Sequence, residues 1–301
     1  QELKNRNFYV SIDSHNTDEL IRGSKAGADY LLSIKSETYH ILENLDSYPI
    51  LIPTDNDITE FYKLIDRALD DELIFIADPI LDPISYGFTD SLVRYVNLRE
   101  KYPDIHIMMG LGNITELTHA DTSGINMIML GIIEELKLNH ILTTQVSRHC
   151  STVIRETDLA RRIIHAASEN NLTPKHINDG LLVHHGHKDY AFCSDELIEM
   201  QGNIKDKNYR IYVNDDGIHL FNKNVYKIFS DPFDFYEHLE VSDDAGHAFY
   251  LGVELARAQI AHQLQKEYQQ DEELSWGCLV DKKVDNKLQS KELGPTFKKR
   301  K

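Results

Sequence analysis

Six short apolar runs, at residues 8–12, 30–34, 49–52, 73–77, 105–109 and 140–143, alternate with stretches whose apolar side chains recur at three- and four-residue steps. The first three runs read FYVSI, YLLSI and PILI, the last followed by Pro53, and helical patterns follow them at 17–28, 37–45 and 58–69. In the third of these helices Phe61, Leu64, Ile65 and Leu69 fall on one face, the period of a helix that buries a single side. The strand runs are near-continuous rather than alternating, as expected of a parallel sheet covered by helices. Strands alternating with helices predict an α/β fold, and the last unit ends in a helix at 156–170 carrying Leu159, Ile163, Ile164 and Ala167.

The fifth unit is the most sharply punctuated. Its apolar run ends in Gly110-Leu111-Gly112-Asn113, and Asn113 followed by Glu116 has the spacing of a capping box at a helix start. A second helix follows Asp121-Thr122-Ser123, with Ile125, Ile128, Met129, Ile132, Ile133 and Leu136 as its apolar face. A helix start facing a strand end is a natural anion site. Gly112 is expected to allow a close backbone approach or a positive φ.

After Pro174 the pattern changes. Alternating runs at 209–213 and 217–221 flank Asn214-Asp215-Asp216-Gly217, a hairpin signal, and two helices follow at 232–239 and 245–268. In the longer one Phe249, Val253, Ala256, Ile260, Leu264 and Tyr268 form a stripe that reads as core. The organisation is therefore a βα portion at 1–178, an α+β domain at 179–278 and a solvated basic tail at 279–301.

With 41% hydrophobic and 27% charged residues in 301, the chain is ordinary globular material. Its formal charge is −17, although residues 281–301 hold eight Lys or Arg against three acids. So acidic a body disfavours nucleic acid as a partner. The cysteines Cys150, Cys193 and Cys278 are three and widely spaced, which argues against a disulfide framework or a zinc site and for a reducing, cytoplasmic setting. No apolar run reaches the roughly 18 residues of a membrane span.

GLGNITELTHADTSGIN, at 110–126, resembles the signature of the dihydropteroate-synthase-like proteins, a branch of the pterin-binding family associated with methanopterin-type cofactors. SDDAGHAFYLGVELARAQIAHQLQKEYQQDEELSWG, at 242–277, carries a second resemblance to them. That family is built on a (β/α)₈ barrel whose third strand ends like Ser11-Ile12-Asp13. The resemblance thus implies a partial TIM-type barrel of six βα units that lacks the first two, followed by the smaller α+β domain. The chain starts at Gln1 with a strand signal almost at once, which reads as a fragment. A missing N-terminal segment or a partner in a homodimer would supply the remaining strands.

In a βα barrel the ligand site lies just beyond the C-terminal ends of the strands. Asp13, Ser33, Asp78, Asp82, Gly112, Asn113, Thr144, Gln145 and Arg148 all follow apolar runs. A carboxylate can take side-by-side N–H donors from a pterin ring edge. The resemblance places that role on Asp13 and on Asp78 or Asp82, with Asp78 preferred because it directly ends its run; Ser33, Gly112 and Asn113 complete the pterin site. The family's Ser-Arg-Lys and Arg-x-His are replaced by Gly112-Asn113-Ile114 and Thr143-Thr144-Gln145, which leaves Arg148, Asn113 and Gln145 as the anion-binding candidates.

The reaction implied is the joining of a hydroxymethyl-dihydropterin diphosphate to an arylamine in folate- or methanopterin-type cofactor synthesis, aided by Mg²⁺. Methyl transfer from a methyl-pterin and a non-catalytic pterin-binding or assembly role are the alternatives, both favoured by the missing basic residues. His184, His185 and His187 read as surface or loop histidines rather than metal ligands. Asp243, Asp244 and His247 read as the cap of the long helix, and Arg161-Arg162 as solvated or paired with Asp158.

Overall fold

The structure, a computed structural model, describes residues 2–281. The tail expected at 279–301 therefore lies outside the described residues from 282 onward. The chain divides into two compact units, one ending at Leu181 and the other starting at Leu182, close to the expected boundary at 178.

The first unit opens with a turn of helix, α1 (Glu2–Asn5), and then alternates strand and helix. Its strands are β1 (Ser11–Asp13), β2 (Tyr30–Ile34), β3 (Tyr48–Leu51), β4 (Ile76–Ala77), β5 (His106–Gly110) and β6 (His140–Leu142). They pair in parallel in strict chain order, so β1 and β6 are the two ends of an open half-barrel sheet. The helices are α2 (Thr17–Lys25), α3 (Ile58–Asp70), α4 (Phe88–Lys101), α5 (Gly112–Thr115), α6 (Thr122–Glu135) and α7 (Val153–Glu169). The expected helix at 37–45 is a 3₁₀ segment, Tyr39–Asn44.

Strand alternation sorts the apolar runs into two layers. Leu31, Leu51, Ala77, Ile107 and Met109 pack with the helices, whereas Leu32, Ile50, Ile52, Ile76 and Met108 form a smaller cluster of their own. Each fully buried side chain of this size contributes about 1.5–3 kcal/mol. On α3 the buried set is Phe61, Leu64, Ile65 and Ala68; Leu69 is exposed, and Ala68, one position back, takes the inward place. Asp57 caps this helix by accepting from the amides of Thr59 and Glu60. At the opposite end of the sheet from the strand C-termini, Arg99 of α4 donates to the carbonyls of Pro103, Ile105, Leu136 and Lys137, fixing the entries to β5 and β6.

Several expectations need correction. Residues 8–10 precede β1 and leave Phe8 and Tyr9 in solvent, and β4 is only two residues long. Asn113 and Glu116 form no capping box, because α5 starts a residue early with Leu111 as its cap and no side chain bonded there. On α6 Ile128 is 68% exposed. The inward face there carries Thr122 and Asn126, which donate to the buried carboxylate of Glu156 on α7, as does Thr152.

The second unit holds α8 (Ser194–Gly202), the antiparallel strands β7 (Arg210–Asn214), β8 (Gly217–Phe221) and β9 (Tyr226–Phe229), and α9 (Ala245–Gln263). The hairpin stands where the sequence put it, and β9 adds a strand it did not signal. α9 ends at Gln263 rather than 268, and its buried residues are Leu251, Leu255, Ala258 and Ala261. The expected stripe lies on another side, with Phe249 77% exposed. Both sides of this helix are apolar, so periodicity alone could not choose between them. Asp244 caps α9 by accepting from the His247 amide, and Arg161 and Arg162 both pair with Asp158 in the first unit.

Gly217 has φ +139, and a Cβ there would stand 3.1 Å from the Phe229 carbonyl oxygen. Gly217→Ala is expected to destabilise the second unit by about 1–2 kcal/mol, read by denaturant unfolding. An unchanged midpoint would mean that the turn relaxes freely.

Candidate functional site

Left-handed backbone gathers at the strand ends. Ser33 (φ 70), Asp55 (50), Asn56 (59) and Ile80 (64) follow or interrupt β2, β3 and β4. For a β-branched residue such as Ile80 this region is a true outlier, costing about 1–3 kcal/mol, and strain of this kind collects at binding sites. The register of β2 slips between Leu31 and Ile34, which turns the Ser33 hydroxyl onto Asp13 at 2.8 Å.

The chemistry centres on Asp78, directly after β4 and only 9% exposed. Its Oδ1 accepts from the Ile80 amide at 2.8 Å and from the Tyr95 hydroxyl at 2.9 Å. Its Oδ2 has no hydrogen-bond partner among the described residues. Tyr95 reaches it from the middle of α4 and is fully buried. Burial pushes the Asp78 carboxyl up to about 6, despite the opposing pull of the Ile80 amide, the Tyr95 hydroxyl and the Arg94 guanidinium.

Arg94, one residue before Tyr95, organises the loop after β4. It donates to the carbonyls of Pro79 and Ile80 and to Asp82 Oδ2 at 2.7 Å. Asp82 is thus committed to an ion pair, and Asp78 is the carboxylate left facing the pocket. Asn113 donates to the Leu81 carbonyl at 2.7 Å and braces this loop from α5. Gly112 sits against the loop after β6: a Cβ on it would stand 2.7 Å from Thr144 Oγ1. Its φ is not positive, so close approach alone requires the glycine.

Asp78, Gly112, Asn113 and Thr144 line one pocket of about 300 Å³, with Ile80, Leu81, Leu117 and Leu142 as its apolar walls and Glu116 at its edge. That size and mixture suit a small flat ring held by a few polar groups. Asp13 and Ser33 face each other at the ends of β1 and β2 and do not line it. Gln145 and Arg148 follow β6 and are exposed.

Sequence reasoning missed Arg94, Tyr95 and the true role of Glu116. Its carboxylate accepts from the amides of Val146 at 2.8 Å and Ser147 at 2.9 Å. The Ser147 side chain and the Val146 amide hold that carboxyl down at about 2. No group of three or more His, Cys, Asp or Glu among the described residues is placed to hold a metal ion. Among the same residues no helix is long and apolar enough to cross a membrane.

No protein-family model matches the chain. It is 29% identical over 313 residues to an uncharacterized protein of Methanocaldococcus jannaschii, with 88% of this chain and 58% of that protein aligned. The chain thus spans less than two thirds of that relative's length. Among solved structures it resembles a protein assigned as spore coat polysaccharide biosynthesis protein E from Chromobacterium violaceum, at 11% identity and a TM-score of 0.43 over 67% of this chain and 57% of that one.

Proposed function

We propose that the strand-end pocket of the first unit binds a reduced pterin, and that the chain is a pterin-dependent transferase of the dihydropteroate-synthase-like kind acting in folate- or methanopterin-type cofactor synthesis. The observation that carries the reading is Asp78, a buried carboxylate with one oxygen anchored by Ile80 and Tyr95 and the other unpartnered at an apolar pocket. An N–H of the 2-amino-4-oxo ring edge meets that free oxygen, and the apolar walls take the ring faces.

In the condensing reaction an arylamine nitrogen attacks the exocyclic methylene of hydroxymethyl-dihydropterin diphosphate. The C–N bond forms as the C–O bond to diphosphate breaks, and the amine loses its proton. Such a leaving group calls for cationic or N–H donors, yet the pocket is lined by no Lys or Arg. That absence favours a second reading, methyl transfer from a methyl-pterin, in which no diphosphate departs. Calorimetric titration with a hydroxymethyl-dihydropterin diphosphate, with and without an arylamine, and with a methyl-pterin separates them. Product formation supports condensation, and binding without product supports the second reading or a non-catalytic role. Failure of every reduced pterin to bind at millimolar concentration ends the proposal.

Asp13 is exposed and outside the pocket. Asp13→Asn should therefore weaken pterin binding by less than tenfold, short of the roughly 1.5 kcal/mol that loss of a buried charged hydrogen bond costs. A larger loss would bring β1 into the site.

A further inference from the structure

We infer that Tyr95, which lies outside the strand-end pocket, is its positioning residue: the hydroxyl fixes one oxygen of Asp78 so that the other is presented to the ligand, the reduced pterin on which this inference rests. Tyr95 is fully buried and does not line the pocket, so it acts only through the carboxylate. Ser91, Tyr95 and Leu98 form the buried stripe of α4, at four- and three-residue steps. Packing of that stripe carries the Tyr95 hydroxyl to Asp78 Oδ1 at 2.9 Å.

The carboxylate is held at both ends. The Asp78 amide donates to the Leu51 carbonyl at 2.9 Å, which ties its backbone to β3. The Ile80 amide shares Oδ1 with Tyr95, and it does so from a left-handed residue whose carbonyl Arg94 holds at 2.7 Å. Turning the carboxylate would break both bonds to Oδ1 in a buried place, where unmade hydrogen bonds are costly. Tyr95 is a lasting donor, because burial and then the Asp78 charge keep its proton on well above the usual tyrosine range.

The charged groups nearby are Arg94 of α4, paired with Asp82 in the loop after β4, and Glu116 at the pocket's edge. None of them hydrogen-bonds to Asp78, so Tyr95 and the Ile80 amide set its orientation. Burial raises the Asp78 carboxyl to about 6, and the bonds from Ile80 and Tyr95 oppose that rise. A hydrogen bond made to the charged form favours it, so losing the one from Tyr95 should let the carboxyl climb to about 7.

Tyr95→Phe removes that bond and keeps the ring, and thermal melting checks that the fold persists. The Asp78 side-chain carboxyl carbon, followed by NMR in the ligand-free chain, should titrate near 6 in the wild type and distinctly higher in the variant. Calorimetric affinity for hydroxymethyl-dihydropterin diphosphate at neutral pH should fall roughly tenfold or more, with the loss on acidification setting in at a higher pH. Tyr102→Phe, which strips another α4 hydroxyl from Asp66, should leave both readings at their wild-type values.

An Asp78 midpoint unmoved in folded Tyr95→Phe overturns the inference whether or not a pterin binds. So does wild-type affinity in that variant. A wild type that binds no reduced pterin defeats the pterin reading instead, and the carboxyl titration still decides whether Tyr95 governs Asp78.

Discussion

Asp78→Asn should make the protein more stable at neutral pH while removing its ligand. The sign follows from the raised carboxyl, near 6 in the fold against the 3.8 of an ordinary aspartate. A carboxyl bound more tightly to its proton in the native state contributes stability that is fully present below about pH 4 and is lost as pH rises through about 6. Two pKa units correspond to about 3 kcal/mol, so ionised Asp78 burdens the fold by that order at pH 8. Asparagine keeps an oxygen for the Ile80 amide and the Tyr95 hydroxyl and carries no charge. The variant should melt roughly 5–10 °C above the wild type at pH 8, converge with it near pH 4, and bind reduced pterin more than tenfold more weakly. Parallel melting curves at every pH would show that Asp78 is not the buried acid described. Gained stability with intact binding would take it out of the site.

Gly112→Val should cost at least about a hundredfold in pterin affinity, roughly 3 kcal/mol. Even a single added carbon would stand 2.7 Å from Thr144 Oγ1, and valine adds two methyl groups beyond it. Thr144 must then turn its side chain aside or the strand-end turn must part from the loop after β6, and either way the pocket that both line changes shape. Such overpacking costs about 1–3 kcal/mol, which a unit with this much core can absorb, so circular dichroism should stay near that of the wild type. Normal binding by the folded variant would reduce Gly112 to a connector.

The βα succession was legible because the inner strands β2 to β5 are mostly buried and therefore read as short unbroken apolar runs. The open sheet with 8–12 and 140–143 near its ends followed from counting those runs, and the chain order β1 to β6 agrees. Asp78 was legible as the first polar residue after such a run. What separated it from Asp82 was Arg94, whose place in the middle of a helix carries no local mark. Glu116 shows the limit most clearly: its spacing from Asn113 fits a cap, but its partners lie 30 and 31 positions away. On α9 two apolar faces competed, and the sheet, not the helix, decided which one turned inward.

A parallel sheet paired only between neighbours in sequence need not wait for a distant segment to seal it. Each strand of the first unit docks on the one made just before it, across a connection of one helix or, between β5 and β6, two. Loop-closure entropy is then spent in small steps, and assembly can advance strand by strand. In this respect the sheet behaves like a one-dimensional array, with stability built from nearest-neighbour terms. Protection against hydrogen exchange should accordingly be deepest at β3 and β4 and fade toward β1 and β6, so that the unit loosens from its flanks inward rather than all at once.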